Sequence, residues 1–324
     1  MLTWLVIGVG DITTKRVLPA ILAEERSRLV GILTREPAKA APYGVPAFTT
    51  LDAALAESDA AAVYVASPVF LHAPQSIAAL RGERHVLCEK PMAMNLAEAQ
   101  GMVAQGRESR RTLGVAYYRR AYPKVQRAME LIRRGAIGQP VLAWATCHTG
   151  LTVTNTQRSW LLDPARAGGG PLYDIASHRI DLLNFFFGEP VRVAAQLSNV
   201  VHALAVEDSA TAVVEYKNKL RAVVDVRWHS RIERDEFRII GTEGEMDLTP
   251  LSGPALVYPG GHDNLPTHSN VHYPCVKNFV DAVLDGAPLL SSGDTALWTD
   301  WVTAQAVGSD RATRRKPGTD GTFP

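Results

Sequence analysis

The chain has 324 residues, 46% of them hydrophobic, with 34 Lys and Arg against 33 Asp and Glu and a formal net charge of +1. That length predicts two domains with sizeable cores, and so even a charge balance offers no field to draw in a polyanion, which argues against a nucleic-acid partner. Three scattered cysteines, Cys88, Cys147 and Cys275, suit a reducing compartment better than a disulfide framework. With no basic leader and no run of about 18 apolar residues, a soluble cytoplasmic protein without membrane contact is expected.

The apolar run Leu5 to Val9 contains Gly8 and leads to Gly10, and Thr13 to Glu25 follows with Val17, Ala20, Ile21 and Ala23 at helical spacing. Strand, tight turn and helix are the elements of a dinucleotide site. The first glycine permits the bend, and the second lets backbone approach a pyrophosphate whose charge rests on exposed helix N–H groups. Gly8, Gly10, Asp11 and Ile12 are therefore candidate cofactor contacts. The third position of the Gly-x-Gly-x-x-Gly pattern is Thr13, and the alternative on these residues alone is an ordinary βα turn.

A second apolar run, Arg28 to Thr34, ends before Arg35 and Glu36. At this strand end an acidic residue would hold the 2′-hydroxyl of NAD, whereas an arginine can fork a 2′-phosphate. Thr34 followed by Arg35 favours NADP(H) over NAD(H). After a short helix near Leu51 to Ala56, the buried-looking strand Ala60 to Ala66 ends at Ser67-Pro68, with His72 just beyond. Helix Pro74 to Arg81 leads to the strand His85 to Cys88 and then Glu89-Lys90-Pro91. Runs that are apolar on both faces and alternate with helices predict a doubly wound parallel sheet. Ligands bind at the carboxyl ends of such strands, which adds Ser67, Pro68, His72, Glu89 and Lys90 to the candidate cofactor contacts. A helix from Asn95 to Gly106 and a strand from Thr112 to Tyr117 complete a first domain over residues 1–122.

The second domain, residues 123–324, opens with an amphipathic helix, Lys124 to Arg134, and a strand, Val141 to His148. Gly168-Gly169-Gly170-Pro171 then enters a helix on which Asp174, His178 and Asp181 stand at i, i+4 and i+7, on one face. Ile175, Leu182 and Phe186 form the apolar stripe beside it. This pattern suggests a helix lining a cleft. A metal site is the rival, but it lacks a third imidazole or a thiolate pair, and His262, His268 and His272 have no zinc spacing, so no metal is expected. Strands over Val191–Asn199, Ser209–Tyr216, Leu220–Trp228 and Glu236–Ile240 predict a large open sheet, mainly antiparallel or mixed. Ser252 to Asn270 reads as a long loop, Val271 to Leu284 and Asp294 to Val307 as helices, and the end from Arg311 as an irregular tail.

Gly8-Val9-Gly10, Glu89-Lys90-Pro91 and Gly169-Gly170-Pro171-Leu172-Tyr173-Asp174-x-x-x-His178-x-x-Asp181 together resemble the Gfo/Idh/MocA family of NAD(P)-dependent oxidoreductases, from the first strand to the last helix. The resemblance implies an N-terminal Rossmann domain and a C-terminal α/β domain whose open sheet carries the subunit contacts of a homodimer or homotetramer. It also implies Lys90, Asp174 and His178 as active-site residues, with Arg120 and Pro123 and the turn Glu207-Asp208 as further matches, and a sugar or polyol as substrate.

The side chains themselves support a hydride transfer. As a secondary alcohol is oxidised it must lose a proton, and His178 is the natural base. Lys90 can stabilise the developing negative charge, and Asp174 can orient a hydroxyl or tune His178. The roles of Lys90 and His178 are exchangeable at this level, and Asp181 is read as structural. Arg120, Trp160 and His148 are candidate substrate neighbours. A non-catalytic NAD(P)-binding regulator of the same fold is the alternative, which the joint presence of Lys90, Asp174 and His178 opposes.

Overall fold

A computed structural model describes residues 1–151 and 156–314. The first half alternates strands and helices: β1 (Leu2–Ile7), α1 (Leu18–Ala23), β2 (Ser27–Leu33), β3 (Ala47–Phe48), α2 (Leu51–Glu57), β4 (Ala62–Val65), α3 (His72–Arg81), β5 (His85–Cys88), α4 (Leu96–Glu108) and β6 (Leu113–Val115). The strands pair in parallel in the order β3-β2-β1-β4-β5-β6. This is the doubly wound dinucleotide order, whose topological switch point lies between β1 and β4. Helices on both faces explain the continuous apolar runs: Trp4, Leu5, Val6 and Ile7 are all at most 1% exposed.

The second half contains α5 (Pro123–Arg133), β7 (Pro140–Gly150), α6 (Pro164–Ala167), α7 (Ser177–Phe187), β8 (Pro190–Ser198), β9 (Ser209–Tyr216), β10 (Arg221–Arg227), β11 (His229–Gly241), β12 (Glu245–Asp247), β13 (Ala255–Tyr258), β14 (Gly261–Asn264), α8 (Tyr273–Asp285) and α9 (Gly293–Arg314). Its eight strands run in the order β14-β13-β12-β11-β7-β10-β9-β8. The β7–β10 pair is parallel and the others are antiparallel, so the sheet is mixed. Side chains alternate across it with period two. Ala143, Ala145 and Cys147 of β7 are buried beneath α5, α7 and α9, whereas Trp144 points the other way and is 43% exposed.

The chain then returns to the first sheet. Val276, Phe279 and Val280 of α8 share a core with Trp4 and Val6, and the Trp4 and Phe279 rings stand 5.4 Å apart. Helix α9 contributes Ala296 to the core of the first sheet and Val302 and Ala306 to that of the second.

Three sequence expectations change. The stretch expected as a loop over Ser252–Asn270 contains the hairpin β13–β14, which turns at Gly260 (φ +82°) and forms one edge of the mixed sheet. An edge hairpin of two four-residue strands with only Leu256 buried carries too little apolar alternation to read as strand. Both helices that matter for the site open with a π turn, Thr13–Val17 and Leu172–Ala176, which interrupts α-helical register. Helix α9 runs on to Arg314, past the expected end at Val307. The rest of the expected tail, residues 315–324, lies outside the described residues. Among the described residues no helix is long and apolar enough to cross a membrane.

Candidate active site

The glycine turn sits at the carboxyl end of β1, beside the switch point. Gly8 has φ +88°, and a Cβ there would lie 2.8 Å from the Ala66 carbonyl oxygen, so glycine is required where the β1 end passes the β4 end. A Cβ on Gly10 would meet nothing within 4 Å, and Asp11 and Ile12 are exposed. Backbone at this turn is thus open to close approach, as a pyrophosphate requires. Thr13, at the third glycine position, is fully buried at the start of the π turn, and its Oγ1 has no hydrogen-bond partner among the described residues. At the end of β2, Thr34 Oγ1 accepts from the Glu36 N–H at 3.2 Å. Glu36 is paired with Lys39 at 2.7 Å, while Arg35 is exposed and makes no ion pair among the described residues. Ser67, at the end of β4, donates to Gln75 at 2.6 Å and is followed by Pro68.

Two expected cofactor contacts face inward instead. His72 is 1% exposed, with its ring nitrogens 2.8 Å from the Ser67 carbonyl and 2.9 Å from the Pro91 carbonyl. It is a strut between the ends of β4 and β5. Glu89 is 7% exposed and receives the Tyr64 hydroxyl at 2.8 Å, with His272 Nε2 at 3.2 Å and the Lys90 N–H at 3.3 Å. Burial pushes its carboxyl up, but His272, Tyr64 and the Lys90 charge outweigh that and hold it below the ordinary range. Glu89 therefore braces the turn that presents Lys90. The residue before a motif lysine gives no sequence sign of which way it points.

Lys90 projects from this turn, whose Lys90–Pro91 bond is cis. Its Nζ lies 3.1 Å from Asp174 Oδ1 and 3.0 Å from the Asp174 carbonyl. The segment carrying Asp174 is anchored by the glycine run and by Glu207. Glu207 Oε2 accepts from the Gly170 N–H at 2.9 Å and Oε1 from the Leu172 N–H at 3.1 Å, capping the helix start. A Cβ on Gly170 would collide with the Glu207 carbonyl, and one on Gly169 with the Tyr173 ring. The Glu207-Asp208 turn thus acts on the helix, and Asp208 in turn accepts three backbone N–H bonds from Val200, Val201 and His202.

One turn on, His178 is 7% exposed and packed edge-on by Tyr117 and Tyr118, at ring distances of 6.1 and 5.1 Å. Burial, then the charges of Lys90, Arg119, Arg179 and His272, hold its pKa well below the ordinary histidine value. Its Nδ1 is shut in without a partner among the described residues, whereas Nε2 is not among the closed-off atoms. The Tyr118 ring also lies 4.6 Å from that of His272, tilted by 34°, and His272 reaches in from the start of α8. Lys90 and Asp174 therefore meet at the carboxyl edge of the dinucleotide sheet, with His178 one turn beyond Asp174 on the same helical segment.

Other expected neighbours do not. Arg120, read as a substrate contact, is 2% exposed and grips Asp181 with Nε (2.8 Å) and Nη2 (2.5 Å), while Nη1 binds the Leu290 carbonyl and Thr295. The π turn and this pair take Asp181 off the Asp174–His178 face, in keeping with its reading as structural. Among the described residues no group of three or more His, Cys, Asp or Glu could hold a metal. His148 lies on the uncovered face of the mixed sheet, 2.6 Å from Asp225. Trp160 is half-buried in the short helix Thr156–Leu162, and no ring contact or hydrogen bond ties it to Lys90 or His178 among the described residues. Sequence reasoning missed Arg119, Arg179 and His272. The doublet Arg119-Arg120 was the available signal, but in a 3-10 turn alternation does not tell which side chain turns outward.

Comparison with known proteins gives a consistent picture. A sequence model described as an oxidoreductase family with an NAD-binding Rossmann fold matches residues 2–117, and the model of the GFO/IDH/MocA C-terminal domain matches residues 125–247. The chain is 27% identical to 1,5-anhydro-D-fructose reductase of Ensifer adhaerens, over 91% of this chain and 92% of that one. It is 29% identical to a D-xylose 1-dehydrogenase [NADP(+)] of Haloarcula marismortui, over 76% and 72%. The crystal structure of an aldose–aldose oxidoreductase from Caulobacter crescentus, complexed with glycerol, superposes with a TM-score of 0.86 at 25% identity, covering 97% of this chain and 98% of that one.

Proposed function

The chain belongs to the Gfo/Idh/MocA oxidoreductase family, and on that premise we propose that it transfers a hydride between NADP(H) and a secondary alcohol or carbonyl of a sugar or polyol. The observation that carries this reading is the Lys90–Asp174 pair at the carboxyl edge of a dinucleotide sheet, with His178 one turn along from Asp174. The named activities of the relatives, on anhydrofructose, xylose and aldoses, support the substrate class.

The open backbone at Gly10 to Ile12 would hold a pyrophosphate, Ser67 and Pro68 would line the way to the ring, and Thr34 with Arg35 would meet the adenosine ribose and its 2′-phosphate. When bound, the nicotinamide supplies the hydride acceptor or donor. In the oxidative direction His178, held neutral, takes the substrate hydroxyl proton at Nε2. Lys90 stabilises the negative charge that develops on the same oxygen, and Asp174 fixes the Lys90 ammonium and accepts from a neighbouring hydroxyl. Tyr117 and Tyr118 keep water from the imidazole.

The uncovered sheet face carries a register row of Val257, Asp247, Arg238, Trp144, Val223 and Val213, with Val257, Trp144 and Val213 exposed by 53, 43 and 39%. We assign this face to a second copy of the chain, in a homodimer or homotetramer; Trp144→Arg should lower the mass seen by light scattering. The activity itself is tested by titrating NADPH and NADH by fluorescence, then screening sugars and polyols with the preferred cofactor. Tight cofactor binding with no change in nicotinamide absorbance on any of them would return the binding-only reading.

A further inference from the structure

Arg119 and Arg120 are neighbours in one 3-10 turn but differ in what their guanidinium groups hold. Arg120 uses its Nε–Nη2 edge to grip the Asp181 carboxylate side-on. Arg119 spends only Nη1, which donates to Ser252 Oγ at 3.1 Å. Its Nε is buried without an acceptor, and Nη2 makes no hydrogen bond among the described residues and is not one of the closed-off atoms. The group is nonetheless held in place: its central carbon lies 5.8 and 5.6 Å from the rings of Tyr118 and Tyr122.

Charge points the same way. Lys90 has Asp174 at 3.1 Å and Arg179 has Asp235 at 2.5 Å. Arg119 feels Asp235 at longer range and forms no ion pair of its own among the described residues. Position agrees: the Tyr118 ring lies 5.8 Å from the Arg119 guanidinium carbon and 5.1 Å from the His178 ring, so the guanidinium and the imidazole flank one aromatic side chain. A guanidinium fork matches a planar carboxylate, and a buried donor left unpaired is costly until an acceptor arrives.

We propose that Arg119 is a specificity-determining residue and that the substrate is a sugar acid, its carboxylate held on the Nε–Nη2 edge of Arg119 while its reacting carbon faces Lys90 and His178. This deepens the hydride-transfer reading and rests on it. A carboxylate arriving at Nη2 from the open side completes the fork at Nε, as Asp181 does on Arg120. Discrimination against the neutral sugar then arises because the neutral congener leaves both donors unpaired.

The test is a set of matched pairs that differ only in the carboxylate, D-glucuronate with D-glucose, D-galacturonate with D-galactose and D-gluconate with sorbitol, assayed with the preferred cofactor. The acids are expected to exceed their neutral partners in kcat/KM by roughly tenfold to a hundredfold, the worth of one charge-assisted fork. Arg119→Met should erase that preference through KM, with kcat held within about threefold, and Arg119→Lys, which keeps charge without a fork, should fall between. Equal use of acid and neutral sugar by the wild type, an equal loss on both series in R119M, or a preference for D-glucose 6-phosphate over D-glucuronate would overturn the proposal. If no member of either series is turned over, the hydride-transfer reading fails by itself. Calorimetric titration of D-glucuronate into the cofactor-loaded protein then decides on Arg119: binding lost in R119M supports it, and binding absent or unchanged sinks it.

Discussion

Lys90 and Asp174 lie 84 positions apart and meet through two bonds, from Nζ to the carboxylate at 3.1 Å and to the main-chain carbonyl at 3.0 Å. The carbonyl bond ties the ammonium to the backbone of a π turn and not only to a mobile side chain. The lysine of one sheet edge is therefore fixed relative to the helix that carries His178, as a site with a shared reacting oxygen needs.

Removing the ammonium should cost turnover and spare cofactor binding. Lys90→Met is expected to lower kcat by roughly a hundredfold to a thousandfold, the range for deleting one preorganised group that stabilises developing charge. Asp174→Asn keeps the main-chain contact and should lose less. Steady-state rates beside fluorescence titration of the cofactor separate the two effects; a K90M enzyme at wild-type kcat removes Lys90 from the mechanism.

His178 gives the pH dependence. Burial and then Lys90 hold its folded pKa below the ordinary 6.5, so it is a neutral base at neutral pH and the acidic limb of kcat/KM falls below that value. In the residual activity of K90M one of those opposing charges is gone, and the limb should move toward higher pH; in Lys90→Arg it should stay. The linkage sign follows: below 6.5 the unfolded chain binds the proton that native His178 resists, so stability falls as pH drops from there toward the folded pKa. His178→Gln should flatten that slope in calorimetric melts, and an unchanged slope would assign it to another group.

The first sheet was legible because strands buried on both faces write continuous apolar runs, and Gly8, Lys90, Asp174 and His178 were legible because their spacing carries chemistry. What stayed hidden depends on direction and distance. His72 and Glu89 stand beside motif positions, yet only packing shows them turned inward. Arg119 and Arg120 differ by one residue in a turn with no periodicity to choose between them. The return of α8 to the core of Trp4 is a tertiary event, since its apolar stripe fits either sheet.

Arg35 should set cofactor choice. It is exposed at the end of β2 and makes no ion pair among the described residues, whereas Glu36 is engaged by Lys39. Arg35→Ala is expected to weaken NADPH by roughly tenfold to a hundredfold, the value of charge-assisted bonds to a phosphate, and to leave NADH within about threefold. Fluorescence titration of both cofactors measures it, and parallel losses would defeat the phosphate argument.

Arg120 should behave as a core residue. It is 2% exposed, Asp181 is 1% exposed, and the guanidinium also holds the Leu290 carbonyl before α9 and Thr295 in its first turn. Burial pushes the Asp181 carboxyl up while Arg120 and a hydrogen bond from Thr299 pull it down, so deleting the arginine leaves a carboxylate in a dry site without its opposing charge. Arg120→Met is therefore expected to destabilise by about 3–5 kcal/mol, and the double variant with Asp181→Leu to recover much of that, because the stranded charge is gone. Denaturant unfolding of the two single variants and the double closes the cycle. The kinetic arm separates this from a substrate role: the folded fraction of R120M should keep the KM of the wild type, and a raised KM with unchanged stability would return Arg120 to the cleft.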